Sequence, residues 1–215
     1  MIDIQEYIDP RGRSRYGIWF ERLNPQAAAK VAIALTRLVA GNFSNVKGVG
    51  LGLFEYKVDF GPGYRIYFGK DGERLVILLG GGSKVRQQAD IAALRQAGWN
   101  ISEGRRKVPM PLTRDFKETI RARVERDPKF RRELLRESLE CLLAGDIGTA
   151  KTILRDYINA TVGFAELSAA TRIPPKSLMR MLGPTGNPRA GNLFEVVSFL
   201  QRREGVRFQL RAAPI

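Results

Sequence analysis

A stretch of alternating residues in the first half of the chain constrains the fold most. Residues 53–60 read Leu-Phe-Glu-Tyr-Lys-Val-Asp-Phe, a period of two that predicts a β-strand with one buried and one charged face. Gly61-Pro62-Gly63 and Lys70-Asp71-Gly72 have the composition of tight hairpin turns. Residues 75–79 form an apolar run, which is typical of a central strand. We therefore expect three antiparallel strands joined by two short turns.

Further elements flank this predicted sheet. Residues 1–8 predict a strand, residues 14–23 a helix, and Asn24-Pro25 the start of a second helix that ends at Gly41. Residues 42–52 read as a loop, and 87–97 as a short helix. Together they predict a small α+β domain over residues 1–104, with an antiparallel sheet and N-terminal helices.

The composition limits the chemistry available to the chain. Residues 1–109 and 110–215 each carry a formal charge of +7, which favours a polyanionic partner for each half, nucleic acid before membrane. The chain has no histidine and one cysteine, Cys141, which reads as a buried apolar residue. We therefore expect no disulfide, metal or cofactor. Without a long apolar span or a signal-peptide pattern, we expect a cytoplasmic protein with no membrane partner.

The second half reads differently from the first. Residues 105–111 are basic and contain two prolines, which predicts a linker, and Met110 falls where an independent protein could begin. Residues 112–215 contain leucine-rich stripes at helical spacing, and 163–182 predict a helix-turn-helix. At its turn stands Arg172, where glycine is usual, and a left-handed residue would be strained there.

Five residues of this region are candidates for contacts to DNA. Three would face outward from the start of the second helix of the motif, and two would lie in the following loop. They are Lys176, Ser177, Arg180, Asn187 and Arg189. The alternative is a helical bundle with ordinary basic surface residues.

Two motifs in the first half resemble a known family. The segment from Tyr56 to Phe68, with Gly-Tyr-Arg at 63–65, precedes Leu-Leu-Gly-Gly-Gly-Ser-Lys, which ends at Lys84, and Gln88-Ala89-Asp90-Ile91. This pattern resembles the RelE/ParE toxin superfamily, and more closely its HigB-like, phage Gp49-like members, over residues 1–108. The resemblance implies a ribosome-associated mRNA endonuclease that works without metal, or a gyrase inhibitor of the ParE branch.

The resemblance also implies a set of site residues. Cleavage by 2′-hydroxyl attack needs stabilisation of a dianionic phosphorane, which in the absence of histidine would depend on cations and a phenol. Arg65 would clamp the phosphate, Lys57 and Lys84 would supply charge, and Tyr64 completes the predicted catalytic set. Further RNA contacts are predicted at Lys47, Tyr67 and Arg86.

Structural roles remain open for several of these residues. The two tyrosines, Tyr64 and Tyr67, also suit packing within a sheet. Lys57 could be a solvated cation paired with an acid, and an arginine that fixes the sheet edge would give the same pattern as Arg65. Lys84 follows three glycines, where backbone can approach a phosphate closely.

The second half resembles the HigA-like, Xre-related antitoxins over residues 110–215, on the segments 155–160, 175–181 and 186–188. The whole chain then reads as a toxin and its antitoxin in one polypeptide. The expected partners are mRNA on the ribosome, operator DNA and a second copy of the chain in a homodimer. The toxin and antitoxin domains are also expected to bind each other. Two rivals are a ParE-like gyrase inhibitor with the same antitoxin, and a purely DNA-binding regulator with an inactive first domain.

Overall fold

The computed structural model describes residues 2–72, 75–96 and 112–209. The chain forms two compact units that divide between Arg123 and Val124. Residues 112–123, which the sequence places at the start of the second domain, therefore belong to the first unit. The predicted linker, residues 105–111, lies outside the described residues.

The first unit combines helices with a six-stranded sheet, and its α+β class is as predicted. The strands are β1 Asp3–Ile8, β2 Val46–Gly50, β3 Leu53–Val58, β4 Tyr64–Asp71, β5 Leu75–Ser83 and β6 Leu112–Asp115. The helices are α1 Arg15–Arg22, α2 Pro25–Val39, α3 Gln87–Gln96 and α4 Phe116–Arg126, which runs past the division between the units. A single 3₁₀ turn, Lys84–Arg86, joins β5 to α3.

The sheet has the strand order β2-β3-β4-β5-β1-β6. The pairs β3–β4 and β4–β5 are antiparallel, as the turn glycines predict, and Gly63 and Gly72 take the positive φ values of 74° and 67° that such turns need. The prediction of an antiparallel sheet is wrong at one pair, because β1 lies parallel to β5. The helices and the meander between these two strands provide the long connection that a parallel pair requires.

Helices cover both faces of this sheet. Helices α1 and α2 pack on one face; the Asn24 side chain caps α2 as predicted, and the Ser14 hydroxyl caps α1, which was not predicted. On the other face, Ile91 and Leu94 of α3 pack in a buried cluster. Its sheet residues are Leu53, Tyr67, Ile77 and Leu79. The face that the sequence marks as charged is therefore partly covered.

Two strands were not predicted. Strand β2 falls in the predicted loop 42–52 and pairs with β3, with an irregularity between Gly48 and Gly50. Strand β6 pairs with the outer edge of β1. Both are short, and neither has the alternation that marks a strand.

The second unit is helical over its described residues. Its helices after α4 are α5 Pro128–Leu143, α6 Ile147–Ala160, α7 Gly163–Thr171, α8 Pro175–Met181 and α9 Ala190–Glu204. The side chains of Asp127 and Asp146 cap α5 and α6. Cys141 is buried as a free cysteine. Residues 206–209 form no regular element.

Glu204 links three helices of this second unit. Its carboxylate accepts hydrogen bonds from the Tyr157 hydroxyl at 2.7 Å and from the Arg131 Nε at 2.8 Å. Burial, followed by the hydrogen bond to Glu204, raises the pKa of Tyr157 far above its ordinary value. The end of α9 is thereby fixed to α5 and α6.

Candidate functional site

The sheet places two of the predicted cations on one face and a third at the end of that face. Lys57 and Arg65 are direct cross-strand partners on β3 and β4, and Arg65 lies opposite Gly82 on β5. The Lys84 backbone N–H donates to the Gly63 carbonyl at 2.8 Å. Since directly paired residues project to the same side of a sheet, Lys57 and Arg65 share the face that α3 partly covers, and Lys84 lies beside Gly63 at the end of that face.

Gly63 brings two of these side chains together. A Cβ on Gly63 would lie 3.5 Å from the Lys84 Cβ and 3.7 Å from the Arg65 Nη1. The Lys84 stem and the Arg65 guanidinium therefore both lie beside Gly63, at the turn between β3 and β4. Lys84 is exposed at this point, on the 3₁₀ turn.

Arg65 is buried, with 5% of its surface exposed. Its Nη1 donates to the Tyr64 carbonyl at 2.9 Å, and its Nε lies 3.8 Å from the Glu55 Oε1. Gln87, at the start of α3, donates to the other Glu55 oxygen at 2.8 Å. Arg65 is therefore engaged by protein groups, and the phosphate clamp predicted for it is not presented at the surface.

Asp90 of α3 lies on the backbone of β5. A Cβ on Gly82 would fall 1.9 Å from the Asp90 Oδ2, so only glycine fits there. That oxygen is buried without a hydrogen-bond partner among the described residues. Burial raises the pKa of Asp90, and the nearby Arg86 opposes the shift. The glycine run before Lys84 thus accommodates a carboxylate of this chain.

The two tyrosines are placed differently from what the sequence predicts. Tyr64 projects to the opposite face from Arg65, where its ring meets that of Trp19 at a centroid distance of 6.4 Å. Tyr67 is 1% exposed and belongs to the cluster beneath α3. Burial, then the charges of Asp90 and Glu55, raise its pKa far above the ordinary value. Tyr64 does not join the cations, and Tyr67 is not accessible for stacking on a base.

The remaining predicted RNA contacts lie at the rim of the same face. Lys47 on β2 is exposed and pairs in register with Glu55. Arg86 is exposed beside Val85, an apolar residue that is 88% exposed. Lys57 is half exposed, and its ammonium forms an ion pair with Asp59 at 2.8 Å. We call the four exposed residues Lys47, Lys57, Lys84 and Arg86 the cationic rim.

The predicted helix-turn-helix region forms two helices, α7 and α8, joined by a tight turn. Arg172 takes the left-handed conformation, with φ 58° and ψ 17°, and its N–H donates to the Ser168 carbonyl at 2.8 Å. Leu167 and Leu178 are fully buried between the helices. Among the predicted DNA contacts on α8, Lys176 and Arg180 are exposed and Ser177 is half-buried.

The loop after α8 is held against its own helix. A Cβ on Gly186 would fall 2.2 Å from the Arg180 carbonyl oxygen, so the loop backbone packs directly on the end of α8. Lys151 of α6 is 6% exposed and donates to the Pro184 and Gly186 carbonyls. This anchor leaves Asn187 and Arg189 exposed, as predicted.

Several residues that organise these surfaces carry no clear signal in the sequence. The strand alternation places Glu55 on the charged face, yet it is buried beneath α3 with Gln87. Lys151 lies within a helical stripe and resembles any surface lysine. Asp90 is the exception, because it stands in a motif that resembles the toxin family.

The described residues contain no group of three or more candidate metal ligands. In the same part of the chain, no helix is both long enough and apolar enough to cross a lipid bilayer.

Comparison with known proteins gives one relative. No protein-family model matches the chain. No solved structure matches it either. An uncharacterized protein of Haemophilus influenzae is 45% identical over 74 residues, which make up 34% of this chain and 75% of that protein. The relative is therefore roughly half as long as this chain, and it carries no named activity.

Proposed function

The chain belongs to the family of this Haemophilus influenzae protein, and we propose that it joins an RNA-cleaving toxin to the DNA-binding antitoxin that restrains it. In this proposal the first unit is a RelE-like, HigB-like mRNA endonuclease that acts on the ribosome. The second unit is a HigA-like helix-turn-helix repressor that binds operator DNA as a homodimer. The observation that carries the proposal is the face shared by Lys57 and Arg65, with Lys84 at its end.

The exposed side chains of the cationic rim are suited to hold an RNA backbone. Ammonium groups at Lys57 and Lys84 would stabilise the negative charge that develops on phosphorus during 2′-hydroxyl attack. Lys47 and Arg86 would contact flanking phosphates, since phosphate contacts dominate affinity for nucleic acid.

Arg65 takes a different role in this proposal from the one the sequence predicts. Its guanidinium is committed to the Tyr64 carbonyl and to Glu55, so we assign it to positioning. It holds the turn that brings Gly63 to Lys84. Tyr64 lies on the opposite face and is left out of the proposed chemistry.

The test compares growth and RNA cleavage for the full chain, a fragment of the first unit and two variants of that fragment. Residues 1–126, which include the whole first unit, are expected to arrest growth and to cleave ribosome-bound mRNA in a translation extract, whereas the full chain does neither. Lys84→Ala in the fragment should abolish both effects. Arg22→Ala removes an equal charge from an exposed position on α1 and should change neither.

The outcomes separate the rivals. If the fragment inhibits DNA supercoiling by gyrase and leaves mRNA intact, the ParE-like alternative is correct. If the fragment is inert while the full chain binds DNA, the chain is a DNA-binding regulator with an inactive first domain.

The DNA-binding half is tested on its own. The full chain is expected to protect a palindromic site upstream of its own gene from nuclease digestion. Lys176→Ala and Arg180→Ala should each weaken that binding by ~10-fold or more and reduce its salt dependence if they contact phosphate. Arg132→Ala, on α5, serves as the control because its Nε donates only to the Pro128 carbonyl one turn earlier among the contacts described. Equal binding by all variants would remove α8 from the interface.

A further inference from the structure

Strand β6 is the last strand in the chain and lies at the edge of the sheet of the first unit. Its residues Leu112–Asp115 pair antiparallel with β1, with Glu6 opposite Arg114 and Ile8 opposite Leu112. Without it, β1 would present an open row of backbone hydrogen-bonding groups at the edge of the sheet.

An ion pair between Arg114, whose side chain is 41% exposed, and a buried carboxylate links this strand to β1. The Arg114 Nη2 lies 2.9 Å from the Glu6 Oε2, and the Glu6 side chain is fully buried. The same nitrogen donates to the Thr119 hydroxyl at 3.0 Å. A Cβ on Gly17 would lie 3.2 Å from both partners of the ion pair, so the absence of a side chain on α1 makes room for it.

A second arginine secures the helix that follows. Arg123 of α4 is 3% exposed, and its guanidinium donates to the Phe20 carbonyl at 2.5 Å and to the Leu23 carbonyl at 2.7 Å. It also lies over the Phe20 ring, 5.3 Å from the ring centroid. These carbonyls lie at the C-terminal end of α1, where Phe20 also accepts from the Leu23 N–H at 3.2 Å and the last carbonyls have no further donor in the helix.

These contacts all join the same two segments of the chain. The strand and the two arginines belong to residues 112–123, and their partners lie in residues 2–23. Residues 24–111 separate the two groups in sequence. We propose that residues 112–123 are a partner-binding segment, a strand followed by a basic helix, which binds the β1–α1 surface even when it belongs to a separate polypeptide.

The segment binds by adding a strand to the edge of the sheet, and its side chains give the binding its specificity. Glu6 selects a basic residue on the incoming strand, and the carbonyls of α1 select a second one on the helix behind it. The relative of roughly half this length shows that a member of the family exists as a shorter chain. The inference does not depend on RNA cleavage or on DNA binding.

The experiment cuts the full chain after it has folded. A recognition site for a specific protease is inserted between Lys107 and Val108, and the purified protein is cleaved. Size-exclusion chromatography over a dilution series then measures how tightly the two fragments stay together. We expect the wild-type fragments to elute as one complex at micromolar concentration, and an excess of a peptide of residues 112–126 to release the C-terminal fragment.

Variants assign the binding to the segment. Arg123→Met should raise the concentration at which the fragments separate by ~100-fold, the equivalent of two lost charge-assisted hydrogen bonds. Arg114→Ala should also weaken the binding between the two fragments, and it gives a second test if Arg123→Met is not folded before cleavage. Arg132→Ala should leave the pair intact. Separation of the wild-type fragments on cleavage, or equal retention in all variants, would overturn the proposal.

Discussion

Replacing Arg123 by methionine isolates the contribution of one buried cation to the first unit. Methionine keeps the length of the aliphatic stem and removes the guanidinium. The Leu23 carbonyl then loses its donor at 2.7 Å, and the Phe20 carbonyl loses the guanidinium at 2.5 Å but keeps the Leu23 N–H at 3.2 Å. The change therefore acts through polar groups and leaves most of the packing in place.

The magnitude follows from the two hydrogen bonds. A hydrogen bond to a charged group contributes about 1.5–3 kcal/mol, and an acceptor left buried without a donor costs a similar amount. Arg123→Met is thus expected to lower the free energy of unfolding by about 3–5 kcal/mol. Arg123→Lys should lose roughly half of this, because one ammonium cannot reproduce the planar fork that serves both carbonyls.

The assay is urea unfolding followed by tryptophan fluorescence. Trp19 lies on α1, so its fluorescence reports the first unit, and a Trp99→Phe background leaves Trp19 as the single tryptophan of the chain. For an m-value of about 2 kcal/mol/M, the midpoint should fall by about 2 M. The matched control is Arg22→Met, at an exposed position on α1, which should change the stability by less than about 0.5 kcal/mol.

The result that would refute this reasoning is a loss of less than about 1 kcal/mol at an unchanged m-value. The carbonyls at the end of α1 would then have to be satisfied by water, and Arg123 would not be part of the attachment of residues 112–123. A fall in the circular dichroism transition of the second unit instead of the fluorescence transition would equally contradict it.

Three shorter predictions concern single positions. Asp90→Asn should stabilise the first unit, because burial raises the pKa of Asp90 in the native state. The free energy of unfolding of the wild type should therefore fall as the pH rises through and above about 4. Urea titrations at several pH values should show no such fall in the variant, and an identical pH profile for both proteins would contradict the prediction. Arg172→Gly should stabilise the second unit by about 0.5–1 kcal/mol, because glycine takes the left-handed conformation without strain; circular dichroism measures it, and a loss of stability would count against the cause. Gly81→Ala should lower the free energy of unfolding by about 1–3 kcal/mol and change the fluorescence of Trp19, because the new Cβ would fall 2.2 Å from the indole ring. Gly80→Ala is the control, because a Cβ there would have no atom within 4 Å and should create no clash.

The local signals in the sequence predict much of this fold. The meander follows from the period of two and from turn glycines such as Gly63 and Gly72, and helix starts follow from caps such as Asn24 and Asp127. Each signal lies within a few residues of the feature it determines. For this reason the elements from β3 to β5 and the helices of the second unit agree with the prediction.

The two unpredicted strands depend on distant partners. Strand β2 contains Gly48 and Gly50 and is a strand because β3 lies beside it. Strand β6 has four residues, and its arginine pairs with a glutamate 108 positions earlier in the chain. No local pattern carries this information, so the sequence groups residues 112–123 with the second half, whereas their contacts group them with the first unit.

The face shared by the cations could be deduced, but its cover could not. Side chains alternate between the two faces of a strand, so once the register pairs Lys57 with Arg65 both side chains must lie on the same face. Which helix covers that face depends on α3, whose Gln87 and Asp90 reach Glu55 and the backbone of Gly82. A cation that lies beneath such a cover next to a carboxylate is already neutralised by the protein. In the proposed function, chemistry on a phosphate would therefore have to come from cations outside the cover, and Lys84, which follows three glycines on an exposed turn, is the candidate for it.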